Sequence, residues 1–314
     1  MTPRAIARLV LAGALAAGLA TAAGVAGAAA IAPASLLDGF EPLRLAALGG
    51  AGAAVGYDPT LIPANPASCV VLSRTSLTLG GQRGFFGDMT GHGFLAFPCA
   101  SGVVVVGGMY YASPPASLHS TDGTVRRVVL QQDIVSLVSY CGPVGSRVSA
   151  GASLKVLHSE LFEEYATLAP VADLGIQVKL SPIFKLGAAI RNAGPSYRYF
   201  EDAVAPPTEV RLGLAGGWRV RGGEAGVPAD SLIVVTDLVW NAVSTAASFR
   251  AGAEYRWLGL LAFRAGFQGG GAARQLARLA AGLGFANGPY RLDYAVRFDN
   301  TFEVPQALAL TVSF

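Results

Sequence analysis

Residues able to carry reaction chemistry are few and dispersed. The chain has three cysteines, Cys69, Cys99 and Cys141, and three histidines, His92, His119 and His158. The cysteines lack zinc-site spacing and are too few for a disulfide framework. The histidines have no close ligand-type partners and read as loop or rim residues. There is no nucleophile elbow, P-loop or paired-histidine motif. Gly49-Gly50-Ala51-Gly52 follows no predicted strand, which makes it a poor dinucleotide turn. The expectation is a non-enzyme with no metal and no cofactor. Charged residues instead recur at alternate positions: Lys179, Arg211, Arg250, Glu254, Arg256, Arg264, Asp293 and Arg297. Such a set can pair ions and line a polar surface.

The elements that must position them follow from period two. In 291–298, Arg291, Asp293, Ala295 and Arg297 alternate with Leu292, Tyr294, Val296 and Phe298. A strand sends these sets to opposite faces. Residues 307–314, 173–180, 249–257 and 261–268 split in the same way. Asn287-Gly288 is a strong hairpin signal, and a two-residue turn there pairs Leu283 with Leu292. Matching faces demand a three-residue turn at 258–260, which sets Glu254 opposite Arg264 and Tyr255 opposite Phe263. About 14 strands result, a number natural for a closed sheet. Their expected spans are 68–79, 89–98, 102–112, 124–140, 145–158, 166–180, 184–192, 208–219, 231–240, 246–257, 261–268, 276–286, 289–299 and 306–314. Short connections alternate with long ones, save for 220–230, as in outer-membrane barrels.

Composition decides which face meets what. Of 314 residues, 52% are hydrophobic and only 14% charged, against about 25% charged in an average soluble chain. Disorder is excluded, because it needs the opposite balance. Beyond the N-terminus no apolar run is long enough for a membrane helix. A barrel of about 14 strands with its apolar face inside would enclose more volume than side chains can fill. The inverted arrangement sends Leu, Val, Ile and aromatics to lipid and charges to the lumen. The expected class is therefore an all-β antiparallel transmembrane barrel over 68–314. Trp218, Trp240, Tyr255, Trp257 and Tyr290 fall near strand ends, as interfacial residues or as ordinary strand aromatics.

The first 30 residues read as a secretory signal, with Arg4 and Arg8 ahead of an apolar stretch and small residues; an uncleaved anchor is the alternative. Removing both arginines leaves 21 basic against 20 acidic residues, so no nucleic-acid partner is expected. Residues 31–67 lack alternation and are a plug threaded into the lumen or a flexible lead-in. Asp58 and Asn65 are suited to capping turns in either case. Cys69 and Cys99, at neighbouring strand ends in an oxidising compartment, are a disulfide pair or two buried free thiols.

Two regions carry a family resemblance. The stretch 45–54, then Asp58-Pro59 and Asn65-Pro66-Ala67, resembles the opening segment shared by FadL-type fatty-acid channels and PorV/PorQ outer-membrane barrels. The stretch 186–195, Pro206-Pro207-Thr208, Arg211-Leu212-Gly213, Gly252-Ala253-Glu254-Tyr255, Arg264-Ala265-Gly266 and Leu292-Asp293-Tyr294-Ala295 resembles the PorV/PorQ side more closely. Phe314 resembles the terminal signal read by barrel assembly machinery. The resemblance implies an outer-membrane location in a Gram-negative-type bacterium, a lipid environment and a lumenal N-terminal plug. Three functions compete: passage of small apolar molecules; secretion or surface assembly with protein partners on loop 193–207, through Tyr197, Tyr199 and Phe200; and a periplasmic β-rich binding protein.

Overall fold

The computed structural model describes residues 36–314, apart from 57, 70–71, 85–86, 120–122, 200, 222–228, 271–276 and 299–303. The leader lies outside the described residues. Fourteen antiparallel strands close a barrel. In chain order they are β1 (Ser76–Arg83), β2 (Met89–Cys99), β3 (Gly102–Ala112), β6 (Gln131–Pro143), β7 (Val148–Leu161), β8 (Tyr165–Lys179) and β9 (Phe184–Ala193). After these come β12 (Glu209–Arg221), β13 (Asp230–Asn241), β14 (Ala247–Trp257), β15 (Leu261–Gly270), β16 (Arg278–Asn287), β17 (Tyr290–Phe298) and β18 (Gln306–Ser313). Two hairpins stand apart from the wall: β4 (Pro115–His119) with β5 (Val125–Val129), and β10 (Tyr197–Tyr199) with β11 (Asp202–Val204). β1 closes on β18, Ser76 opposite Ser313, and the Phe314 N–H donates to the Thr75 carbonyl at 2.9 Å.

The alternating sets lie as the inversion requires. Leu292 and Leu310 are exposed on the outer surface, while Arg250, Arg264 and Asp293 are buried inside. Period-two sequence yields this because successive strand side chains face opposite ways. Closure pairs every strand on both sides, which satisfies backbone groups where water is absent. Glu254 faces Arg264 and Tyr255 faces Phe263, with Trp257 and Leu261 closing the three-residue turn.

Several boundaries differ from the expectation. The first strand starts at Ser76, because residues 66–69 form a 3-10 turn inside the barrel. Asn65 starts that turn by accepting the Ala67 N–H, and Pro66 suits a first helical position. The strand expected at 124–140 is broken at Leu130. Ser113 Oγ accepts the N–H groups of Leu130 and Gln131, so 125–129 peel away into the β4–β5 hairpin. The connection left between the expected strands 124–140 and 145–158 shortens, since Cys141, Gly142 and Pro143 still pair with β7. The Asn287 hairpin turns on Gly288 and Pro289 instead, with Asn287 opposite Tyr290 and Leu283 opposite Tyr294. Gly288 has φ +57°. Pro289 holds φ negative, so the glycine takes the first central position of a primed turn. The register slips by two residues, which keeps every side chain on its face.

Candidate functional site: the occupied lumen

The described residues of 36–69 lie inside the barrel. They comprise α1 (Leu36–Gly39), α2 (Leu43–Ala47) and two 3-10 turns, Pro59–Leu61 and Pro66–Cys69. α2 packs on β15, β16, β17 and β18, whereas the second turn packs on β6, β7 and β8. The segment therefore crosses the lumen from one wall to the other. The Asp58-Pro59 pair starts the first turn. The Asp58 carboxylate accepts the Thr60 N–H at 3.0 Å, and proline follows as the first residue of the turn.

One side of the lumen is ionic. Glu254 on β14 accepts two bonds from Arg44 of the inner segment, both 2.9 Å, and one from Arg264 at 2.7 Å. Arg44 also reaches Asp58 at 3.1 Å, and Arg291 holds Asp58 at the same distance. Arg264 and Arg291 both hold Asp293, at 2.7 and 2.8 Å. Arg256 completes the cluster, 3.0 Å from Glu254 and partly exposed. Nearer the long-loop end, Arg250 pairs with Glu41 at 2.7 Å and Arg297 approaches it at 4.0 Å. Arg211 and Arg191 share Glu209, and further round the wall, on β7 and β8 beside the apolar side, Lys155 binds Asp173 at 2.8 Å. Bidentate arginine–carboxylate geometry makes the Arg44–Glu254 pair directional as well as attractive.

Main-chain contacts add a second set of anchors. Asp237 accepts the N–H groups of Gly52 and Ala53 at 2.8 and 2.9 Å. The Asn65 amide donates to the Ala53 carbonyl at 2.6 Å, and Gln177 donates to Ala53 and Val55. Between these anchors the wall presents glycines. A Cβ on Gly151, Gly187, Gly252 or Gly266 would meet inner-segment backbone, at Pro66–Ala67, Ala53–Ala54, Leu48 and Leu48–Gly49 respectively. Absent side chains let two backbones approach closely.

The opposite side of the lumen is apolar. Phe94, Val103, Val105, Met109, Val135, Leu137, Leu157 and Val171 point inward and pack with Leu36, Leu37, Phe40 and Ile62. The charges expected in the lumen belong to the other side; here the inward face is mainly apolar. β3, and the middle of β2 and β6 around Phe94, Val135 and Leu137, are apolar on the inner face and largely apolar on the outer one, which alternation of polarity cannot report. His92 belongs to this sector: it is buried on β2 against Phe40 and Phe94, not on a rim. The β10–β11 hairpin closes the sector at the long-loop end. Tyr197, Tyr199 and Val204 are buried in it, and Tyr199 hydrogen-bonds Ser159, which in turn bonds Asp133. These tyrosines are therefore not an outward contact surface; Phe200 lies outside the described residues.

The expected lumenal residues are thus brought together unevenly. Arg250, Glu254, Arg256, Arg264, Asp293 and Arg297 form one ionic wall, and Arg211 joins Glu209 beside it. Lys179 stands apart, exposed at the short-turn end beside a cavity of about 230 Å³ that Arg147 and Lys185 also line. Asp58, Pro59, Asn65, Pro66 and Ala67 are all buried inside. Phe314 is exposed at the closing seam. Arg44, Glu41, Asp237, Glu209 and Gly151 were not singled out from sequence; Gly187, Gly252 and Gly266 stood in the resemblance motifs, with no packing role assigned to them. Cys69 is not opposite Cys99: Cys99 is exposed beside the β2–β3 turn, while Cys69 is buried with Cys141. Among the described residues no cluster of metal-ligating side chains occurs.

No protein-family model matches the chain, and no curated protein matches it. Solved structures do. The toluene transporter TbuX of Ralstonia pickettii superposes with a TM-score of 0.60 at 15% identity, covering 88% of this chain and 99% of that one. The toluene transporter TodX of Pseudomonas putida superposes with a TM-score of 0.59 at 12% identity, with the same coverage of both chains. The chain shares its barrel fold with these proteins, closed here by 14 strands.

Proposed function

We propose that the protein passes small apolar molecules across a bacterial outer membrane, with residues 36–69 acting as its plug. The observation that carries this is the apolar sector of the lumen. A passage for polar solutes keeps a polar interior; here one wall is built from Phe94, Val105, Met109, Val135 and Leu157. The fold shared with two proteins named as toluene transporters supports the same reading. The short-turn end, where Thr75 meets Phe314, is then periplasmic, and the β10–β11 hairpin is an outer lid. Phe314 serves as the terminal signal for barrel assembly. The resemblance to PorV/PorQ barrels offers a secretion role through protein contacts on loop 193–207. It is less favoured, because Tyr197 and Tyr199 are turned inward.

Uptake of radiolabelled toluene by outer-membrane-intact cells tests the passage. Expressing the protein should raise the initial rate several-fold over an empty vector. Replacing Tyr197 and Tyr199 together by alanine removes the lid's packing and should raise it further. A rate equal to the vector control in both, with folded protein in the membrane, would overturn the proposal. Trapping of a secreted protein by crosslinkers at 193–207 would then favour the secretion role.

A further inference from the structure

Cys69 and Cys141 belong to different parts of the molecule. Cys69 ends the 3-10 turn at the foot of the inner segment, and Cys141 lies near the end of β6. Both side chains lie in one buried cluster, and the turn that carries Cys69 packs on β6, the strand that carries Cys141. Neither residue has appreciable exposure, 0% and 1% respectively. The wall is shaped to bring them together. Cys141 pairs across the ladder with Gly151, and a Cβ on Gly151 would meet the Pro66 and Ala67 backbone. The glycine's missing side chain lets the foot of the segment settle beside Cys141.

We propose that these two cysteines form a disulfide that fastens the foot of the inner segment to the barrel wall. The contact itself is independent of function. The oxidising compartment rests on the outer-membrane reading, since disulfides persist on the periplasmic side. Bond formation requires a dithiol oxidant in its disulfide form. The thiolate of one cysteine attacks a sulfur of that disulfide, giving a mixed disulfide and releasing the oxidant's second sulfur as a thiolate. The other cysteine, as thiolate, attacks the mixed disulfide at the protein sulfur. The Cys69–Cys141 bond forms and the oxidant leaves as a dithiol, having gained two electrons and both protons. The exchange takes place before the segment is seated, while both thiols are open to attack. Once made, the bond holds the foot of the segment still, and any motion that admits a solute falls to the part of the segment ahead of it.

Mass-tagging of thiols in denatured, non-reduced membranes gives a direct count. The wild-type protein should take one maleimide-polyethylene-glycol tag, on Cys99, and three after reduction. Cys99→Ser should take none without reduction, and Cys141→Ser should take two. Three tags on non-reduced wild type would overturn the bond, as would zero tags on Cys141→Ser, which would place the bridge at Cys69–Cys99. Fractionation of the same samples separates this failure from that of the location. Three tags on a barrel in the outer-membrane fraction that migrates faster unheated overturn the bond alone. Three tags on soluble protein overturn both.

Discussion

Replacing Glu254 by leucine should loosen the inner segment more than any other single ionic change. Glu254 is 1% exposed and receives Arg44, Arg256 and Arg264. Without it, those guanidiniums and Arg291 have, among the described residues, Asp58 and Asp293 to share. Removing one partner of a buried pair costs about 3–5 kcal/mol, because the remaining charge stays desolvated. Arg44 loses its bidentate partner and stays tied to the ionic cluster by Asp58 alone, itself a residue of the same inner segment. The barrel wall does not depend on Glu254 in the same way, since ladder bonds hold β14 to β13 and β15. Limited proteolysis should therefore cut residues 36–67 in Glu254→Leu and spare them in wild type, while both still migrate as folded barrels when unheated. Glu254→Gln keeps one acceptor and should show a smaller effect. Arg256→Gln removes a partly exposed arm and should change stability by about 1 kcal/mol or less. Equal protease resistance of Glu254→Leu and wild type would show that the ionic cluster does not hold the segment.

The barrel was legible because its signal is local. Alternation in β14, β15, β17 and β18 needs only neighbouring residues, and the turn at 258–260 sets the Glu254–Arg264 register from within one hairpin. Errors arose where a local signal had a rival. Asn65-Pro66 begins a 3-10 turn, so the apolar stretch just after it reads as strand although the wall starts at Ser76. Asn287-Gly288 is a strong turn pair, but Pro289 takes the second central place and shifts the pairing. At 124–140 the break comes from Ser113, a residue well upstream that bonds Leu130 and Gln131.

The site was less legible because its bonds are not local. Arg44 and Glu254 are 210 positions apart, and no spacing rule links them. A cue did exist: Glu41, Arg44 and Asp58 are isolated charges in a stretch otherwise rich in Ala, Gly and Leu. Charges in such a setting need partners if the stretch is buried. The apolar sector also left a cue, in the four consecutive valines of β3. Val103 and Val105 face the lumen, whereas Val104 and Val106 face outward. An unbroken apolar run marks a strand with two apolar faces, which a count of alternating charges passes over.

Gly266→Val should unseat the segment by a different route, leaving every ion pair chemically intact. Gly266 lies on β15 opposite Gly252, and a Cβ there would overlap Gly49 N and the Leu48 carbonyl carbon. Backbone on both sides cannot yield as a flexible side chain can. Gly49 is itself tied to this place: its φ is +67°, a conformation glycine adopts readily. Valine suits a strand, so the wall should close with its normal register. The inner segment must then move off β14 and β15, because a Cβ on Gly266 would sit far inside non-bonded contact with Gly49 N. Arg44 and Asp237 are thereby drawn away from the partners they hold across that gap. In planar bilayers, wild type should show little conductance, and Gly266→Val should show large, frequent openings with the protein still migrating as a folded barrel. Gly187→Val, set against Ala53 and Ala54 on β9, should behave alike. Gly217→Val is the control: a Cβ there meets nothing within 4 Å, and conductance should stay at the wild-type level. Quiet bilayers with Gly266→Val and Gly187→Val alike would mean that close backbone approach does not keep the lumen shut.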